Sequence, residues 1–324
     1  MDLRAQCPAL VLDAAGADVA GRGTRPDGDL LTLRLALLAV AFALPAAAED
    51  VRLKEQAFYP EGPAYVGGAL YWAEMPAHRI RRHRDGKTTT VWEGPGCGPT
   101  SIKPDGRGGF WILCHLGHTV LRVDGNFRVV KHLENDGAGR RLAYPNDATV
   151  DRRGQLYFTS SGVFSLQAPS EGAVYFIDLH DQPHRIAEGL RYANGIRIDE
   201  KRARLYVSEH LARRVLVMDV AKPGEVGAPS VFFDLAALPP ATVRYALAGP
   251  DGILLDDKGR LYVAEYGASR VMLLSTEGKL LRVIQVPMQF VTNFAALPTG
   301  QIVVVGAFQN DQMPMPGLVT TLPH

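Results

Sequence analysis

Neither sign of charge dominates this sequence: 35 Lys and Arg face 34 Asp and Glu over 324 residues, a formal net charge of +1. Without a basic stripe there is nothing to displace counterions from a phosphate backbone, so nucleic acid is not an expected partner. Charged residues make up only 21% against 47% hydrophobic, which excludes a disordered chain. Cysteine is scarce, at three residues. No Gly-x-Ser-x-Gly elbow, His-Glu-x-x-His pair or phosphate-binding Gly-rich turn is present, which sets aside the hydrolase and nucleotide-binding classes that depend on them. The most apolar run, 35–44, is too short to span a bilayer.

That run follows Arg34 and precedes Pro45 and Ala46-Ala47-Ala48. A basic flank, a short apolar stretch and a small-residue cleavage site are the order of a secretory signal peptide. Residues 1–48 are therefore expected to be a leader and signal segment, residues 49–324 the mature domain, and the protein to be exported, to the periplasm. Cys7 goes with the leader, leaving Cys97 and Cys114 for an oxidising compartment. They suit a disulfide. A zinc site adding His115 and His118 is the rival, although its ligand spacing matches no common zinc loop.

Glycine (33) and proline (22) are plentiful and favour tight turns between short elements, hence an all-β fold. Short aliphatic and aromatic runs recur with a period. Repeat starts fall at Glu61, Thr100, Asn146, Asn194, Asp251 and Asn293, spaced by about 46 residues on average, the length of a propeller blade. A second strand follows each start by about eleven residues, for example Leu70-Tyr71-Trp72 and Phe110-Trp111-Ile112, and a third strand follows that. The last repeat lacks a fourth strand, while the segment 51–58 precedes the first repeat unpaired. The expectation is a six-bladed β-propeller closed by its N-terminal strand, which removes exposed sheet edges.

In such a ring the repeat starts converge at one end of the axis. The six positions carry two carboxylates, three amides and a hydroxyl, with no thiol or imidazole. All-oxygen donors with two negative charges suit a hard divalent cation, calcium first. Asn and Asp also favour the turns that lead into strands, which would explain any one position but not Glu61. The loops between second and third strands return to the same end and place Glu74, His115, His118, Ser160, Ser161, Glu209, His210 and Glu265 at the rim. His115 and His210 are the expected proton shuttles, since imidazole titrates near neutrality.

The segments Glu61-Gly62-Pro63, Tyr144-Pro145-Asn146-Asp147, Asn194-Gly195-Ile196 and Pro250-Asp251-Gly252 resemble, in this order, the regucalcin, gluconolactonase and luciferin-regenerating family of six-bladed propellers. The resemblance implies a divalent ion, usually calcium, held by Glu61, Asn146, Asn194 and Asp251, and hydrolysis of a small lactone or related ester with Asp251 as base or nucleophile. Thr100, Tyr144, His115, Glu209, His210 and Asn293 are the expected substrate-binding residues. Two positions depart from the sugar lactonases of that family: Tyr144 stands where they carry arginine, and Ser160-Ser161 where bacterial members often carry aspartate. A non-catalytic binding module with a structural ion is the alternative of a different class.

Overall fold

Strand follows strand from Lys54 to Thr321, interrupted by three single-turn 3-10 segments and by no α-helix among the described residues. The computed structural model describes residues 53–238, 241 and 245–323. The expected leader and signal segment, 1–48, lies outside them. Antiparallel meanders of four strands repeat along the chain. The first runs Pro60–Val66, Ala69–Glu74, Arg79–Arg84, Lys87–Glu93, and the second Pro99–Pro104, Phe110–Cys114, Thr119–Val123, Val129–Leu133. Lys54–Phe58 pairs antiparallel with Pro316–Thr321 and supplies the outer strand of the last meander, the place the unpaired 51–58 segment called for.

Turn chemistry sets the hairpins. Asp105, Asp151 and Asp256 each accept, through one carboxylate oxygen, the backbone N–H groups two and four residues ahead. Such Asx turns close the loop between first and second strands without any tertiary contact.

The core lies between neighbouring meanders, and the second strands divide it. In Phe110–Cys114 the side chains of Phe110, Ile112 and Cys114 join a cluster with Tyr71 and Ala73, whereas Trp111 and Leu113 join Leu156 and Phe158 on the other side. Leu70 and Trp72 likewise pack with Val303, Val305 and Val319 of the last meander. A strand buried on both faces has no polar side to show, which is why these segments read as continuous apolar runs. Trp72 and Trp111 are fully buried, and truncating either to Ala removes about 3–5 kcal/mol of packing.

The innermost strands are Pro60–Val66, Pro99–Pro104, Pro145–Val150, Ala193–Asp199, Gly249–Leu255 and Phe290–Ala296. Each lies against the next in chain order, and the last lies against the first. Hydroxyls stitch them together: Thr100 Oγ1 donates to Asn146 O at 2.7 Å and Thr292 Oγ1 to Pro60 O at 2.6 Å, while Ser208 Oγ, on a second strand, donates to Asp251 O at 2.6 Å. Every innermost strand also breaks register with its second strand directly at its start. A bulge re-aims side chains that an unbroken ladder would hold perpendicular to the sheet.

Candidate active site

A cavity of about 380 Å³ opens where the innermost strands begin, and Glu61, Thr100, Asn146, Asn194 and Asp251 line it together. All five are buried, at 3–7% exposure. Two acids enclosed together repel one another. Burial, with the charges of Asp251 and Asp147, holds the Glu61 carboxyl well above the usual carboxylate range, and the Gly62 N–H and Lys103 offset this only partly. Burial and the Asp147 charge likewise raise Asp251, against hydrogen bonds from the Gly252 backbone and the Asn194 side chain. The pair is relieved by taking up either protons or a cation.

The two amides are turned by their neighbours. Asn146 Nδ2 donates to Ser161 Oγ at 2.8 Å, and Ser161 Oγ donates in turn to Ala193 O at 2.8 Å. Asn194 Nδ2 lies 3.4 Å from His210 Nδ1, and His210 Nε2 lies 2.8 Å from Leu247 O, so the network assigns the ring proton to Nε2. Asn194 Oδ1 is then buried with no hydrogen-bond partner. An orphaned amide oxygen in one cavity with two carboxylates fits a hard cation better than a transition metal. No group of three or more His, Cys, Asp or Glu among the described residues is arranged to hold a metal, so a cation here depends on the amides.

The remaining expected residues are distributed as follows. His115 and His210 line the cavity, but burial pushes both imidazoles down to about 4 despite the carbonyls that accept from them, Pro145 O and Leu247 O. Both are neutral at pH 7, outside the range a proton shuttle uses. Tyr144 does not line the cavity. Its ring packs against His118 at 4.3 Å and His115 at 5.2 Å, behind the wall. His118 accepts the Tyr144 N–H, and Ser160 Oγ donates to Ala143 O.

Glu209 is not at the rim. It is 2% exposed, bonded to Arg214 Nε at 2.6 Å and to the Arg191 N–H at 2.9 Å. Glu74 with Arg79 and Glu265 with Arg270 repeat this arrangement at the same spacing of five residues. These acids clamp the loop between second and third strands and have no free oxygen for a ligand. Asn293 also lies elsewhere. Pro60, Pro99, Pro145, Ala193 and Pro250 pair opposite Glu74, Cys114, Ser160, Glu209 and Glu265, and the corresponding residue of the last innermost strand is Val291, opposite Gly306. Thr292 therefore holds the position taken by Glu61 and Asp251, and Asn293 sits one residue on. Its side chain faces a separate cavity of about 220 Å³ with Lys103, Asp147 and Arg197. Cys97 and Cys114 form a disulfide, with Cα atoms 4.5 Å apart, which settles the choice against a zinc site.

The walls come from residues that repeat-reading passed over: Tyr59, Phe164, Tyr192, Tyr245, Tyr266 and Asn310, with Met75, Leu116 and Asp311. One signal was periodic. Tyr59, Gly98, Tyr144 and Tyr192 each stand two residues before a repeat start, and all have positive φ, from 44° to 61°. A non-glycine residue held there marks a bend that the surrounding structure imposes.

Residues 59–300 match the SMP-30/Gluconolactonase/LRE-like region. The chain belongs to this family. It is 24% identical over 228 residues to 6-deoxy-6-sulfogluconolactonase of Pseudomonas putida, covering 70% of this chain and 74% of that one. Its fold is similar to a gluconolactonase of Xanthomonas campestris, with a TM-score of 0.68 at 21% identity over 84% of this chain and 89% of that one. It is also similar to a calcium-binding protein, regucalcin, from Agrobacterium tumefaciens, with a TM-score of 0.65 at 15% identity over 83% and 93% of the two chains.

Proposed function

We propose that this protein is a divalent-cation-dependent hydrolase of a lactone or related ester, a six-bladed propeller closed by its N-terminal strand, and exported to the periplasm after loss of residues 1–48. Its lactonase relatives support the hydrolase class. The observation that carries the reading is the meeting of Glu61, Asn146, Asn194 and Asp251 in one buried cavity, with the orphaned Asn194 oxygen among them. The continuous neighbour relation of the innermost strands supports the ring.

Glu61, Asn146, Asn194 and Asp251 would hold the ion, calcium by the hardness of the donors. Bound there, it would polarise an ester carbonyl and acidify a water. Asp251 is the base. Its carboxylate takes a proton from water as the water oxygen bonds to the carbonyl carbon, and returns it to the alkoxide as the ester C–O bond breaks. Ser161 and His210 hold the amides in place.

The test is a panel of lactones and esters assayed before and after exhaustive chelation, with Asp251→Asn alongside. Activity is expected to vanish on chelation and return with calcium, and Asp251→Asn is expected to stay folded and lose about 10²–10⁴ in turnover. A fully active chelated protein removes the ion from the reaction, and an active Asp251→Asn removes the base.

A further inference from the structure

Five aromatic rings line the cavity. Four tyrosines line it, and three of their hydroxyls meet one another or Asn310. Tyr59 and Tyr266 share a hydrogen bond of 2.7 Å, and Asn310 Nδ2 donates to Tyr266 at 2.7 Å and to Tyr245 at 3.1 Å. The nitrogens of His210 are taken up by Asn194 and Leu247, and His115 Nδ1 by Pro145. The wall therefore offers ring faces to a ligand, beside hydroxyls that already hold a partner.

The rings brace one another. Phe164 stands edge-on to His210 at 5.2 Å and to Tyr266 at 6.2 Å, and Tyr245 stands edge-on to Phe290 at 5.2 Å. Rings held by neighbours lose little freedom when a flat ligand enters. At the mouth Leu116 is 49% exposed, an apolar surface that a ligand would cover.

Charge points the same way. Glu61, Asp251 and Asp311 line the cavity, and among the described residues no Lys or Arg does. Among the described residues an anionic substrate meets no cationic side chain there. A polyhydroxylated lactone would surrender water from its hydroxyls against these ring faces, a cost an aromatic ring does not incur.

Resting on the hydrolase reading, we infer that the substrate is a neutral ester or lactone carrying an aromatic ring, seated between Tyr59, Phe164, Tyr192, Tyr245 and Tyr266 with its carbonyl toward Asp251.

Two arms test this. In the first, kcat/KM is measured for 3,4-dihydrocoumarin, glucono-δ-lactone and γ-butyrolactone, and the aromatic lactone is expected to lead the sugar lactone by more than about tenfold. Phe164→Ala is expected to raise KM for dihydrocoumarin about tenfold more than it raises that for γ-butyrolactone. In the second, calorimetry compares binding of two non-hydrolysed lactams, 3,4-dihydro-2-quinolinone and glucono-δ-lactam. If the aromatic lactam binds more tightly and no ester is turned over, the wall reading stands and the hydrolase reading fails. If the sugar lactone and its lactam equal or exceed the aromatic pair, the aromatic inference is overturned while the hydrolase reading survives.

Discussion

Gly252 is the residue at which the fold and the proposed chemistry can be disturbed together by one methyl group. It follows Asp251 on an innermost strand, and a Cβ built there would stand 2.5 Å from both Thr292 O and Asn293 Cγ on the neighbouring innermost strand. Ordinary contact begins near 3.4 Å, so the two strands must part by about 0.9 Å. The backbone of Gly252 is not in the left-handed region, so the strain is steric alone. Gly252→Ala is expected to destabilise by about 1–3 kcal/mol, as overpacking of a filled interior does. It should also lower turnover by about tenfold or more, because the displaced strand carries Asp251. Gly227→Ala is the control: its nearest neighbour would be Asp219 O at an ordinary 3.8 Å. Urea unfolding midpoints and initial rates read both effects. If Gly252→Ala unfolds at the same midpoint as Gly227→Ala, the close approach of the innermost strands is not what holds Asp251 in place.

Glu61→Gln is expected to weaken calcium binding first, read by titration calorimetry, with activity partly restored at high calcium, since a ligand charge is lost while Asp251 remains. Equal affinity for the two proteins would strike Glu61 from the ligand set. Glu209→Gln should reduce stability by about 2 kcal/mol through its charged bonds to Arg214 and Arg191, with KM unchanged. A raised KM at unaltered stability would restore Glu209 to the substrate site. The double change Cys97→Ser and Cys114→Ser opens a loop of 17-residue separation and is expected to lose about 3 kcal/mol in urea unfolding. An unchanged midpoint would show that the bridge does not restrict the unfolded chain.

What could be read along the chain was whatever recurs along it. The spacing of the repeat starts, the apolar second strands such as Phe110–Cys114 and the orphan segment ahead of the first repeat depend on local turn chemistry and on burial of both strand faces, and both leave a periodic trace. Glu61, Asn146, Asn194 and Asp251 were legible for that reason. The last repeat shows the limit of the method. Its motif reads equally well at Asn293, and only pairing of Val291 with Gly306 moves the equivalent position to Thr292. A shift of one residue in a strand redirects a side chain, and here it sends Asn293 to the other cavity. The tertiary structure alone decided which acids are free. Glu74, Glu209 and Glu265 read as rim residues until Arg79, Arg214 and Arg270 are seen to hold them. It alone brought Phe164, Tyr245 and Tyr266 together with Tyr59 and Tyr192, the two wall rings that share a place ahead of a repeat start. A pocket wall is a relation between distant loops in space, and one-dimensional spacing carries no record of it.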